Sequence, residues 1–377
     1  MPKKISCMLA ALMLMVFLCG CGSVFETEYV SVTDYVPPVQ GSQSTGDKMQ
    51  VNNFNALKQA IRRIAISGEE MGRIVFDAAY DGDVVEDIAS ACWELRTEDA
   101  FCAYCVDNIA YDSSRIVNYY EANIYISYSQ ADLGNIVNLQ YFMGAKEAIL
   151  EAMQNGDRKI VLLINRSSYT ADNIETVVAD VYRSNPACAP RMPSAEVNMF
   201  SGTGLQRLYE IKLGYGFTLS ELQNRKSQIA SVQPFGNLDL DGLNETEKAY
   251  EACRYLMENC SLTDDSMGDT IYSALVEGSA NSEGIAYAYV ELCRQLGIEC
   301  QMIYGQRNWQ DHCWNIVRVD GEYYHVDAGV CSSSGLESGF MRRDSAMWEN
   351  YRWDVSSYPE CNGSLEFEQI SEIIKEY

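Results

Sequence analysis

From residue 51 onward the chain alternates two kinds of apolar spacing. "FNALKQAIRRIAI" (54–66) and "YFMGAKEAILEAM" (141–153) place apolar residues three and four apart, the repeat of a helix with one buried face. "RIVFDAAY" (73–80), "ANIYISYS" (122–129), "KIVLLIN" (159–165) and "RLYEIKLGY" (207–215) are short and rich in β-branched and aromatic residues, which predicts strands. Residues 51–235 therefore read as a mixed α/β domain. Pro234, Gly236 and Gly242 break the pattern and mark a boundary near 235, with a second domain over 236–377. That second domain opens on a helix: Asn244 and Glu247 form an N-cap pair, and Ala249, Cys253, Leu256 and Cys260 share one face. Further on, Ile285, Tyr289, Leu292 and Leu296 repeat at helical spacing. "CWNIVRVDGEYYHVD" (313–327) then alternates as two strands around Asp320-Gly321, a hairpin turn signal.

The first 21 residues follow another rule. "MPKKISCMLAALMLMVFLCGC" runs from lysines through an apolar stretch to small residues, the order of a secretory signal. The uninterrupted apolar run, Met8 to Leu18, is 11 residues, short of the roughly 20 that span a bilayer. Leu18-Cys19-Gly20-Cys21 resembles a bacterial lipobox. The resemblance implies a signal peptide over 1–20 cleaved before Cys21, a diacylglyceryl group on Cys21 and an extracytoplasmic, membrane-lipid-anchored protein. Acyl chains contribute about 0.8 kcal/mol per buried methylene, so more than one chain on Cys21 anchors stably. Residues 21–50, with their Ser, Thr, Gly and a Pro pair, then read as a flexible tether.

Charge and composition exclude several functions. The 377 residues carry a formal net charge of −25 with no Lys/Arg cluster, which argues against nucleic acid as a partner. His312 and His325 are the only histidines, so residues 51–235 cannot hold a His-based metal or acid/base site. "FCAYC" (101–105) has C-x-x-C spacing but no second such pair, and reads as core or disulfide cysteines rather than zinc or redox chemistry. "GTG" (202–204) lacks the rest of a dinucleotide fingerprint and reads as a turn. Asp239, Asp241 and Gly242 mimic a calcium loop, yet Lys248 stands where its bidentate Glu belongs. No metal or cofactor is expected. Fourteen cysteines, less Cys7, Cys19 and Cys21, leave an odd number that cannot all pair.

Three stretches of the last third belong together: "YSALVEGSANSEGIAYAYVELCRQLGIEC", "DHCWNIVRVDGEYYHVDAGV" and "GFMRRDSAMWENYRWDVSSYPEC". Ser282 falls at a helix N-terminus, where free amides and the dipole favour negative charge. The hairpin brings His312 and Asp327 into reach of each other. This arrangement, over roughly residues 245–361, resembles the transglutaminase-like superfamily. The resemblance implies an α+β protein whose C-terminal domain has a papain-like Cys-His-Asp fold. It places Ser282 at the nucleophile position, His312 as general base and Asp327 as the residue orienting the imidazole, with Trp314 and Asn315 as supports. His325, two residues before Asp327 on one strand, is set aside.

The sequence departs from the family at Ser282, where a Cys is expected, and at "AGV" (328–330), where Thr and Trp often stand. A thiol is held as thiolate by a neighbouring His, whereas a serine must lose its proton during attack. Cys293, about three turns along the helix, and Cys313, on the opposite strand face from His312, are not substitutes. Three readings remain open. One is a catalytically degenerate domain binding a peptide, cell-wall or protein ligand in the inherited cleft. Another is an active hydrolase or acyltransferase using Ser282, His312 and Asp327. The third is a surface scaffold with Ser282 as a helix cap.

Overall fold

The structure, a computed structural model, describes residues 48–129, 133–236 and 238–376. The signal peptide expected over 1–20, Cys21 and nearly all of the tether expected over 21–50 lie outside the described residues. Two successive segments repeat one topology. In the first, β1 (Met49–Asn53) crosses over through α1 (Phe54–Ser67) to a parallel β2 (Met71–Asp81). Helices α2 (Val84–Glu98) and α3 (Ala100–Cys105) then lead into the antiparallel hairpin of β3 (Val106–Ile116) and β4 (Tyr119–Tyr128). Because β4 pairs with β2, the sheet order is β1-β2-β4-β3.

The second segment runs β5 (Ile136–Tyr141), α4 (Met143–Asn155), parallel β6 (Lys159–Arg166), α5 (Ala171–Ser184), then the hairpin β7 (Ser194–Ser201) and β8 (Arg207–Gly214). Its order, β5-β6-β8-β7, is the same. The unbroken apolar run of "KIVLLIN" has a physical cause here. Val161 and Leu163 of β6 pack into the core of the first segment, while Ile160, Leu162 and Ile164 face the opposite core, so both faces of the strand are covered.

That opposite core continues without interruption into the C-terminal third, joining Ile149, Val178 and Tyr209 to Ala252, Tyr289, Val317 and Phe340. Core residues on both sides of the boundary expected near 235 thus share one cluster. The C-terminal elements are α6 (Leu219–Ser231), α7 (Glu245–Asn259), the two-residue strands β9 (Ser261–Leu262) and β10 (Ser279–Ala280), and α8 (Ser282–Gln295). They continue with β11 (Glu299–Arg307), β12 (Gln310–Val319), β13 (Glu322–Val326), α9 (Ala328–Ser334), α10 (Asp344–Met347), β14 (Tyr351–Trp353) and α11 (Phe367–Glu376). The four longer strands form an antiparallel sheet, β13-β12-β11-β14.

The expected capping box is present: Asn244 Oδ1 accepts from Glu247 N at 2.9 Å, and Glu247 Oε2 accepts from Asn244 N at 2.8 Å. Helix α8 goes beyond the one-sided burial its spacing predicts, since every residue from Gly284 to Cys293 is buried. It runs between the sheet and α7, and at about 1.5–3 kcal/mol per large apolar side chain this burial locks its register. Among the described residues no helix is long and apolar enough to cross a membrane.

Candidate active site

The N-terminus of α8 is placed by three local devices. Strand β10 pairs with β9 and delivers Asn281 as N-cap, whose Oδ1 accepts from Glu283 N at 3.0 Å and Gly284 N at 3.1 Å. Gly284 lets the first turn lie against the 268–270 loop: a Cβ there would sit 2.3 Å from Gly268 O and 2.8 Å from Thr270 O. Ser282 takes the first helical position, so its N–H has no partner inside the helix and points out of the positive end. Its Oγ accepts from the backbone N of Cys313, 3.2 Å away. The hydroxyl therefore lies one residue from His312 along β12.

The Asp320-Gly321 turn forms as expected, with φ of 50° and 84° at its two residues. Register then decides the rest. Strand β13 ends with Val326 opposite Asn315, leaving Asp327 just past the ladder on the His312 side. His312 Nε2 and Asp327 Oδ2 are 2.6 Å apart. The same oxygen accepts from Tyr351 OH at 2.8 Å, and Asp327 Oδ1 caps α9 by accepting from Val330 N at 3.0 Å. A carboxylate with three donors on it is oriented and held buried. Because Asp327 accepts the Nε2 proton of His312, Nδ1 of a neutral ring is left as the acceptor. Burial, and next the Asp327 charge, push the Tyr351 phenol well above its ordinary range, so it stays a donor.

Trp314 and Asn315 hold this geometry. Asn315 Nδ2 donates to Ala286 O at 3.1 Å, tying β12 to α8. Trp314 packs edge-on against Tyr351 at 5.1 Å, and its Nε1 donates to His325 Nδ1 at 3.0 Å. Indole nitrogen only donates, so His325 Nδ1 is unprotonated and Nε2–H donates to Asp344 Oδ1 at 2.8 Å. His325 is thus a second, fully buried dyad with its own carboxylate, and Asp344 Oδ2 is occupied by Cys361 N at 3.2 Å. Burial lowers the His325 pKa, against the smaller opposing pull of Asp344. Donor atoms of His325, Asp344 and Cys361 lie within 4.8 Å of one another, the donor set of a small metal site. As they stand, both His325 nitrogens and both Asp344 oxygens are satisfied by protein groups, and burial pushes the Cys361 thiol up.

Sequence reasoning missed Tyr351, Asp344 and a chain that reaches Glu283 from the N-terminal part. Arg183 on α5 donates to Tyr304 OH at 3.3 Å, Tyr304 and Tyr287 hydroxyls are 2.8 Å apart, and Tyr287 donates to Glu283 at 3.2 Å. Burial raises the Glu283 pKa. No spacing in the sequence marks these residues. The cysteines are simple by comparison: those at 92, 102, 105, 188, 253, 260, 293, 300, 313, 331 and 361 are all free. "FCAYC" forms the short buried α3. Burial first, then Glu283 and Asp327, push the Cys313 thiol up, which denies it thiolate chemistry.

Residues 237–328 match the profile of the transglutaminase-like superfamily, a span that contains Ser282, His312 and Asp327. Among solved structures, the chain is similar to a TGase at 10% identity and TM-score 0.26, covering 51% of this chain and 58% of that one. It is also similar to a proposed cysteine protease from Cytophaga hutchinsonii at 12% identity and TM-score 0.24, covering 36% of this chain and 62% of that one. The chain thus spans about three fifths of the length of either structure. No curated protein matches it. The protein is a mixed α/β chain carrying a transglutaminase-like superfamily domain at residues 237–328.

Proposed function

We propose that this is a membrane-anchored, extracytoplasmic protein whose transglutaminase-like site has lost its nucleophile and binds a peptide-like ligand beside the retained His312–Asp327 pair. The observation that carries the reading is the hydrogen bonding of the Ser282 hydroxyl. Its hydrogen bond is the one accepted from Cys313 N, with none to the His312 ring among the described residues. A serine nucleophile must pass its proton to a base as it attacks, and that requires hydrogen-bond reach of the imidazole. Replacing the longer C–S bond by C–O draws the reacting atom back, and about 1 Å of misplacement costs about 100-fold in rate. The cap, the wiring and the packing of the site serve ligand orientation equally well without chemistry.

The experiment is a serine-directed fluorophosphonate probe applied to the purified protein. The expected result is no labelling by a folded sample. Labelling that disappears in both Ser282→Ala and His312→Ala would overturn the reading in favour of an active Ser282-His312-Asp327 hydrolase or acyltransferase, which the intact Asp327–Tyr351 support favours. In Ser282→Cys, amidase or transamidase activity is expected if the missing sulfur is the whole defect. Anchoring is tested separately: Cys21→Ala should move the protein out of the membrane fraction.

A further inference from the structure

We propose that the tip of the β11–β12 hairpin, together with the turn after α10, forms a docking rim for a carboxylate-bearing peptide that runs toward the His312 end of the sheet. The inference rests on the ligand-binding reading above and names the chemistry of that ligand. Two large aromatic side chains stand in solvent here: Trp309 is 78% exposed and Trp348 is 56% exposed. The hairpin is closed by two residues, Asn308 and Trp309, with φ of 52° and 67°. Such a turn favours Asn-Gly, and a bulky side chain in the left-handed region is strained. Trp309 thus combines backbone strain with a largely exposed indole. Strain of this kind concentrates at functional sites.

The rim is held as one unit. Asn308 N donates to Asn350 O at 2.8 Å, fastening the hairpin tip to the 348–350 turn. The Arg352 guanidinium lies 5.4 Å from the Trp309 ring centroid, and its Nη1 donates to Trp348 O and Tyr351 O. Arg307, next to the turn, places its guanidinium 5.7 Å from the Tyr351 ring, and its buried Nε has no hydrogen-bond partner among the described residues. Neither arginine forms an ion pair with a carboxylate among the described residues. This is so although acids outnumber bases 53 to 28 and Asp311, Glu349 and Asp354 are close in sequence. Asp311 accepts from Gln306, and Asp354 accepts from Ser356 and Ser357. Trp309 closes the turn just before β12, three residues ahead of His312, a separation of at most about 10 Å at the rise of a strand. Trp and Arg are the side chains that dominate binding hot spots, and a guanidinium without a carboxylate suits a peptide carboxylate. In a chain of net charge −25, these two guanidiniums, without an ion pair among the described residues, are the local attraction open to a ligand carboxylate.

The test uses the purified full chain and three probes: a fluorescein-labelled pentapeptide with one glutamate and a free C-terminus, its fully amidated counterpart, and chitotetraose. The free acid is expected to bind at least tenfold more tightly than the amidated form, with Trp309→Gly and Arg352→Gln each weakening it at least tenfold. Glycine relieves the turn, so Trp309→Gly is also expected to melt at or above the wild-type temperature while losing the peptide. Equal binding of both peptides, binding of the glycan alone, no peptide binding, or a lowered melting temperature in Trp309→Gly would each overturn the rim. A ligand that shifts the His312 ring resonances and is indifferent to Trp309→Gly would leave the ligand-binding reading standing and remove this inference alone. Fluorophosphonate labelling of Ser282 would instead remove the lost-nucleophile reading and make the bound peptide a substrate.

Discussion

Asp327→Ala tests whether the carboxylate is the keystone of the His312 end of the sheet. The substitution removes the acceptor of three donors: His312 Nε2, Tyr351 OH and Val330 N. The His312 side chain is 12% exposed and can turn to water. Tyr351 and Val330 are buried and cannot. A stranded buried donor costs about 1–3 kcal/mol, so two of them set a destabilisation of about 2–6 kcal/mol, the lost N-cap included. Tyr351→Phe removes one donor and strands none, because Asp327 keeps its other two partners. It should cost about 1.5–3 kcal/mol, the worth of a hydrogen bond to a charged group, and less than Asp327→Ala in the same buffer. Urea unfolding followed by far-UV circular dichroism reads both values, with an unchanged m-value certifying that stability alone has moved. An Asp327→Ala cost below about 1 kcal/mol, or a Tyr351→Phe cost exceeding it, would refute the account of Asp327 as a shared acceptor.

Two more outcomes are expected. The lowered pKa of His325 means that the unfolded chain takes up this proton first, so stability is full above the ordinary histidine value of 6.5 and falls as pH drops from there toward the lower folded value. In His325→Gln that loss should be absent from unfolding curves measured between pH 7.5 and 5, on a lower baseline throughout. Gly284→Ala adds a methyl 2.3 Å from the Gly268 carbonyl, a clash with backbone that cannot be turned aside. Despite the roughly 1 kcal/mol by which Ala favours a helix over Gly, a net loss of about 1–3 kcal/mol is expected, and a gain in melting temperature would contradict the packing described.

What the amino-acid order determined by itself is local. The Asn244–Glu247 capping box, the Asp320-Gly321 hairpin and the helix starting at Ser282 depend on residues two to four apart, whose geometry is dictated by the backbone once a helix or turn forms. The approach of His312 to Asp327 was legible for a similar reason, because a tight hairpin with a set register must bring its two far ends together, whereas only the family resemblance put Ser282 beside them. Tertiary structure alone decided the rest. Whether a histidine finds Asp327 or Asp344 depends on which face of the sheet it leaves and on a carboxylate 19 residues away, and the strand pattern leaves His325 inside with Asp344. Tyr351 reaches Asp327 across 24 residues and Arg183 reaches Tyr304 across 121, distances over which no periodicity carries information. The repeated four-stranded sheets were hidden as well. Strand β6 reads as a plain apolar run because two cores cover it, and only the packed structure reveals that each segment lays its strands in the same order.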